Sequence, residues 1–202
     1  MVSQVVPAQA GTLRGHGSGV DTVSQAGTLR AHLKAGTRAL HDELDEKLAP
    51  AALGDDQSYA MFLSAQYAAR LPVERWLENA AIPFAPPVQC QLIAADLHAM
   101  GRATPAATDP FSLPENAEPV GAFWALAGSS LGNRAMLAQR RKANLSAPVR
   151  FLSDEAMPAY FKKLRPFLEQ SVAHSHAQSA IRAADAVFRQ FLLTQDAVRL
   201  AA

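Results

Sequence analysis

The sequence places a histidine inside a helical pattern, in the stretch Leu33-Lys-Ala-Gly-Thr-Arg-Ala-Leu-His41. Residues three, four and seven apart share one face of a helix. The face that contains the histidine is otherwise mostly apolar. It consists of Leu33, Thr37, His41, Leu44 and Leu48.

Two cations precede this histidine on nearly the same face. Lys34 and Arg38 lie seven and three residues before His41, and seven residues of helix span roughly 10 Å. A neutral imidazole is a common haem-iron ligand, and two cations at that distance could pair with the carboxylates of a haem. The alternative is a core histidine with two solvated charges nearby.

A second stretch carries small residues at helical spacing, in Gly121-Ala-Phe-Trp-Ala-Leu-Ala-Gly-Ser-Ser-Leu-Gly132. Steps of four, three and four join Gly121, Ala125, Gly128 and Gly132, so their small side chains line one helix face. Each helical glycine costs roughly 1 kcal/mol relative to alanine. Such a face favours the close approach either of another helix or of a flat ligand. Taken together, the histidine and the glycines favour a haem held between two helices.

The rest of the chain also predicts helices, with no competing pattern of alternating strand residues. Pro72 should kink or interrupt the second helix, and Gly101 should end the third in the left-handed conformation. The sequence therefore predicts an all-α fold. The predicted helices run from Thr28 to Pro50, from Ser58 through Tyr67 and beyond, from Leu92 to Met100, from Pro119 towards Leu137, over Tyr160 to Leu164 after Ser153-Asp-Glu, and from about Phe167 to Leu200.

Composition limits the classes of protein that fit. A chain of 202 residues with 49% hydrophobic and 18% charged residues is typical of one soluble domain. We expect residues 1–25 to be a flexible tail and residues 26–202 to form the domain. The net charge of +1 favours neither nucleic acid nor a membrane surface as a partner. No apolar run is long enough to span a membrane, and no secretory pattern opens the chain, so we expect a cytoplasmic protein.

In combination, these stretches resemble the haem oxygenases, especially the bacterial biliverdin-producing type often associated with bacteriophytochromes. The resemblance rests on Leu29-Arg-x-x-Leu-Lys-x-x-Thr-Arg-x-Leu-His41 and on the stretch from Gly121 to Gly132. Weaker matches lie over residues 91–101 and 183–188. The likeness covers about residues 28 to 195.

The resemblance implies a single-domain, haem-oxygenase-like helical bundle in which haem is both substrate and cofactor. It implies oxidative cleavage of haem to biliverdin, carbon monoxide and ferrous iron. Electrons would come from a ferredoxin or a reductase, and a bacteriophytochrome would be a candidate recipient of the biliverdin. His41 would be the proximal iron ligand, and the backbone at Gly128 and Gly132 would lie close to the distal side of the iron.

The resemblance also implies a set of cations that hold the haem propionates, on the first helix and on a later one. Ser129, within the glycine motif, is a further candidate for contact with the haem. The candidate propionate ligands are Lys34, Arg38 and one of Lys162, Lys163 or Arg165.

One residue departs from the family pattern. Asn133 stands where family members usually have a second glycine. Its side chain could enter the distal pocket and slow turnover, or it could point away. The first possibility leaves open a non-catalytic haem carrier or sensor of the same fold. A helical interaction protein without a cofactor is the third alternative, and it would need the glycine face to pack against another helix.

Overall fold

The computed structural model describes residues 27–53, 55–80, 82–106 and 109–201. These residues form seven helices and no strand, apart from an isolated bridge between Thr28 and Ser171. The all-α prediction is confirmed, while the predicted tail over residues 1–25 lies outside the described residues. The helices are α1 (Leu29–Gly36), α2 (Arg38–Leu53), α3 (Asp56–Asn79), α4 (Cys90–Ala99), α5 (Pro119–Lys142), α6 (Ala156–Leu168) and α7 (His174–Ala201).

The prediction of one helix from Thr28 to Pro50 is wrong, because the chain breaks at Thr37 into α1 and α2. Thr37 has φ −100° and ψ 2°, and its buried hydroxyl donates to the Leu33 carbonyl at 2.8 Å. A threonine hydroxyl bonded four residues back often bends a helix. The side chain of Ile181 also packs directly on Gly36. Lys34 and His41 therefore belong to two different helices.

Pro50 does not end its helix as predicted, and of the two effects expected at Pro72, a kink or an interruption, the interruption does not occur. The helix α2 continues past Pro50 to Leu53, and α3 runs without interruption through Pro72 to Asn79. The fixed φ of proline is itself helical, so the main local cost is one lost backbone hydrogen bond. By contrast, Gly101 behaves as predicted, with φ +68°. Its N–H donates to the His98 carbonyl, and the next N–H donates to the Leu97 carbonyl, which closes α4 in a Schellman motif.

The final helix begins later than predicted, because Phe167 belongs to α6 and α7 begins at His174. Between these helices, the chain leaves the helical conformation to pair with the segment before α1. The Leu29 N–H donates to the Gln170 carbonyl at 2.9 Å, and the Val172 N–H donates to the Gly27 carbonyl at 3.4 Å. A pairing between residues so far apart in sequence leaves no local signal.

The core is arranged around α7, which contacts α1, α2, α3 and α5. The side of α7 that meets its neighbours is rich in buried alanine, at Ala180, Ala183 and Ala184. Small side chains allow helix backbones to approach closely. Gly121 of α5 lies directly on the Ala180 carbonyl, where a Cβ atom would overlap that oxygen. Among the described helices, none is long and apolar enough to cross a membrane.

We expect Gly121→Ala to destabilise the protein, because the added methyl group would force α5 away from α7. Overpacking of a core typically costs about 1–3 kcal/mol, and a clash with backbone falls at the upper end because backbone cannot change rotamer. The free energy of unfolding in urea measures this effect. An unchanged midpoint with an unchanged slope would contradict the close packing of α5 on α7.

Candidate functional site

His41 lies at the surface of α2 rather than in the core. Its side chain is 50% exposed, whereas Leu33, Thr37 and Leu44 on the same stripe are buried. The break at Thr37 separates the histidine from the buried turn before it. The imidazole is therefore available to a ligand, unlike the core histidine that the sequence left as an alternative.

The orientation of this imidazole is set partly by a carboxylate one helical turn later. The Nδ1 atom of His41 lies 3.2 Å from Oδ2 of Asp45. If the proton is on Nδ1, it is donated to Asp45 and the Nε2 lone pair remains free. A carboxylate or carbonyl on the other ring nitrogen is the usual second partner of a metal-binding histidine. The spacing of four residues between His41 and Asp45 is a signal in the sequence for this contact.

Two aromatic contacts connect His41 to α5. The ring of His41 meets that of Phe188, from α7, edge to face at a centroid distance of 5.9 Å. The ring of Phe188 meets Trp124, from α5, at 6.1 Å. Helices α2 and α5 are themselves in contact. The histidine and the Trp124 side of α5 therefore lie next to each other in the fold.

This side of α5 is apolar and open, and we call it the open face of α5: Trp124, Gly128, Leu131, Gly132 and Ala135. A Cβ atom built on Gly128 would meet nothing within 4 Å, and one on Gly132 would meet only the Met136 methyl group at 4.0 Å. Leu131 is 61% exposed. An apolar face beside a half-exposed histidine is suited to bind a flat apolar group.

The glycine motif therefore serves two different purposes. Gly121 packs helix against helix, whereas Gly128 and Gly132 have free space in front of them. The sequence pattern placed all three glycines on one helix face, and it could not show which of them packs against a helix and which faces open space. The helix-packing interpretation applies to Gly121, and the open space at Gly128 and Gly132 is compatible with the ligand interpretation.

Asn133 is buried at 7%, and it lies on a different stripe from Gly128 and Gly132. Adjacent helical residues are rotated by about 100°, so Asn133 is turned well away from both glycines. Its stripe also contains Ser130, Leu137 and Arg140, all buried. Of the two orientations that the sequence allowed, the structure has Asn133 pointing into the bundle.

The predicted propionate ligands are all exposed, and they lie on α1, α2 and α6. Arg38 is near Asp42 at 3.6 Å, and Arg165 is near Glu169 at 3.5 Å. Exposed pairs of this kind contribute little, so both cations could exchange their partner for a ligand carboxylate. Lys34 and Lys162 are likewise exposed, on two helices that contact each other.

Ser129 is only partly exposed, and its hydroxyl is already engaged. The Oγ atom donates to the Leu126 carbonyl at 2.7 Å and accepts from Nη2 of Arg70 at 2.8 Å. The only proton of this hydroxyl is therefore used inside α5. The predicted contact between Ser129 and a haem would have to use a remaining lone pair of the oxygen.

Arg70 is a buried cation that the sequence analysis missed. Its side chain is fully buried, with the guanidinium over the rings of Phe151 and Phe191 at 5.3 and 5.5 Å. Burial lowers the pKa of Arg70, and the charge of Glu74 acts in the opposite direction. A guanidinium nevertheless stays protonated in proteins. A signal was present, since Gln66, Arg70 and Glu74 are polar residues at steps of four in an otherwise apolar stretch.

Two surface pockets of about 400 and 450 Å³ lie elsewhere. The first is bordered by Trp76 and Phe111, and the second by His98 and Arg102. Neither is lined by His41 or by the glycines of α5. Among the described residues, no three His, Cys, Asp or Glu side chains come together as a metal-ion site.

The fold is that of a haem oxygenase. A structure of the haem oxygenase from Neisseria meningitidis, solved with NO and CO bound, matches this chain with a TM-score of 0.66. The match covers 85% of this chain and 92% of that one, at 19% sequence identity. No family model matches the sequence, and no curated protein matches it. At this identity, the comparison supports the fold alone.

We expect Gly128→Ala to have opposite effects on the free protein and on haem binding. The methyl group meets nothing in the free protein, so the better helix propensity of alanine should stabilise it by up to about 1 kcal/mol. The same methyl group would occupy the space in which a porphyrin would lie. We therefore expect hemin to bind about tenfold more weakly, which corresponds to about 1.4 kcal/mol. Urea unfolding and a hemin titration measure the two effects. Hemin affinity equal to that of the native protein would contradict the assignment of this face.

Proposed function

We propose that the protein is a haem oxygenase, which binds haem between α2 and the open face of α5 and cleaves it to biliverdin, carbon monoxide and ferrous iron. One observation carries the proposal: a half-exposed histidine whose Nδ1 faces Asp45 lies beside a helix face on which Gly128 and Gly132 have open space in front of them. The match to a haem oxygenase fold supports it.

The residues present fit a haem on both of its faces. His41 offers Nε2 as an iron ligand on one side, with Nδ1 held by Asp45. Gly128 and Gly132 give a face on which no Cβ stands between the helix backbone and the ring. Such a small-residue face leaves room for a diatomic molecule between the helix and the iron. Haem itself supplies the redox chemistry, with dioxygen as co-substrate.

The chain's own contribution is orientation and exclusion of water. Lys34 and Arg38, with Lys162 or Arg165, would pair with the propionates and set the rotation of the ring in its plane. Charge-assisted hydrogen bonds of this kind contribute roughly 1.5–3 kcal/mol each. Trp124 and Phe188 would cover the apolar edge of the ring, since both already flank His41.

The reaction needs electrons that the chain does not carry. We propose a ferredoxin or a reductase as the donor, and a bacteriophytochrome as a recipient of the biliverdin. Both partners follow from the resemblance of the two motifs to the bacteriophytochrome-associated enzymes.

A non-catalytic haem carrier or sensor is the alternative for this fold. The argument for it depended on the Asn133 side chain obstructing the distal pocket. Asn133 is buried on another stripe of α5, so this obstruction is absent from the structure. Catalysis is therefore the better supported of the two functions.

We expect His41→Ala to lower hemin affinity by at least about tenfold, equivalent to 1.4 kcal/mol, and to abolish the histidine-ligated absorption spectrum. The side chain is half exposed and meets the ring of Phe188, so the helical fold should be retained. A hemin titration followed by absorption measures this, and circular dichroism checks the fold. Imidazole added to the variant should restore the spectrum.

The matched control is His98→Ala, which removes an exposed histidine from α4. It should leave both the spectrum and the formation of biliverdin after addition of a reductant unchanged. Native protein that binds no hemin would exclude the proposed function. Hemin binding without biliverdin formation would support the carrier instead.

We expect Asn133→Gly to leave haem turnover unchanged and to lower the free energy of unfolding, by roughly 0.3 kcal/mol from helix propensity and further through the loss of a buried side chain. The reason is the rotation of Asn133 away from the open face of α5. Biliverdin formation under single-turnover conditions measures the first effect. If turnover is lost while haem stays bound, Asn133 acts in catalysis and its burial in the haem-free structure does not persist.

A further inference from the structure

Arg70 of α3 carries a positive charge that the described residues do not neutralise. Its side chain is fully buried. Its Nη2 donates to the Ser129 hydroxyl at 2.8 Å and its Nε donates to Gln66 Oε1 at 3.3 Å. Its Nη1 is buried without a hydrogen-bond partner among the described residues. A buried cation is normally paired with an anion, because removing a charge from water is costly.

The carboxylates that act on Arg70 are committed elsewhere. Glu74 accepts from the Gln89 and Cys90 N–H groups at 2.8 and 3.1 Å, at the start of α4. Asp154 accepts from the Gln89 side chain at 2.7 Å and from the Met157 N–H at 3.1 Å, at the start of α6. Among the described residues, no carboxylate lies within ion-pair distance of the guanidinium. Its two aromatic neighbours compensate the charge only in part.

Arg70 adjoins the candidate haem site from two directions. Its partner Ser129 directly follows Gly128 on α5. Its neighbour Phe191 lies one helical turn after Phe188, the residue that contacts His41. The guanidinium therefore lies inside the bundle between α3, α5 and α7, next to the turn of α5 that carries Gly128. A charge that is shielded from water interacts strongly with a nearby ligand, because the local dielectric constant is low.

We propose that Arg70 makes this site selective for small anionic ligands, which its Nη1 group would hold beside Gly128 on the side of the haem opposite His41. This inference rests on the proposed function, because the haem would form one wall of the subsite. Arg70 would act by its charge and by one hydrogen bond, and Ser129 would fix the direction of the guanidinium. The ligand class is a small monoanion rather than a neutral molecule.

The test compares an anionic with a neutral ligand on the ferric hemin complex. Azide and imidazole are titrated separately and followed by absorption, for the native protein, Arg70→Gln, Arg70→Met and Arg70→Lys. We expect the two neutral variants to bind azide about tenfold more weakly, as for loss of one charge-assisted contact, and imidazole with unchanged affinity. Arg70→Lys should retain most of the azide affinity because it keeps the charge.

The chain offers a matched control in Arg140, a second buried arginine of α5, which stacks on the Tyr59 ring at 3.8 Å. Arg140→Met should leave the ratio of azide to imidazole affinity unchanged, even if it lowers the melting temperature. Arg70 has no ion-pair partner among the described residues, so Arg70→Gln and Arg70→Met leave no opposite charge unpaired and should fold.

Three results would overturn the inference about Arg70. They are unchanged azide affinity in both neutral variants, equal losses for azide and imidazole, and the same loss of azide binding in Arg140→Met. In all three, hemin still binds and the proposed function stands. If the native protein binds no hemin, the proposed function is wrong, and the inference about Arg70 is wrong as well.

Discussion

The contact between α5 and α7 at Gly121 fixes the geometry of the candidate site. With no side chain at Gly121, the backbone of α5 lies directly on the carbonyl of Ala180. This close approach brings Trp124, one turn further along α5, against Phe188 of α7. Phe188 in turn contacts His41. The position of the histidine relative to the open face of α5 therefore depends on one glycine that is remote from the proposed chemistry.

The same helix changes partner along its length. Near its start, α5 packs against α7 at Gly121, whereas further along Gly128 and Gly132 face free space and Asn133 points into the bundle. A helical glycine is unfavourable without a compensating contact. Gly121 gains such a contact within the fold. Gly128 and Gly132 do not, which is expected if their partner is a bound ligand.

Much of the fold could be predicted from local sequence, because the apolar spacing of a helix and the glycine after α4 are local signals. The break at Thr37 could not be predicted, because it involves Ile181 packing on Gly36 from another helix. The predicted start of the last helix, at about Phe167, was wrong for a similar reason. Residues 170–172 pair with the chain before α1, and the pairing is not encoded within either segment.

The candidate site could likewise be predicted only where its signals are local in sequence. His41 and the glycines were predicted from spacing, but spacing could not show which glycine packs a helix and which faces open space. Asp45 lies one turn from His41 and contacts it, and the spacing of four residues could have indicated this contact. Arg70 was missed because its partners come from α3, α5 and α7. Contacts between helices, rather than patterns along one helix, determine where Arg70 lies.

The central claim is that haem lies between α2 and the open face of α5. Nuclear magnetic resonance of the isotope-labelled protein tests it directly, by comparing backbone amide signals with ferric hemin and with diamagnetic zinc protoporphyrin. Paramagnetic broadening should be strongest around His41 on α2 and around Gly128 and Gly132 on α5, and absent from α4. Broadening centred instead on the pocket bordered by Trp76 and Phe111, or spread evenly over the surface, would contradict the account.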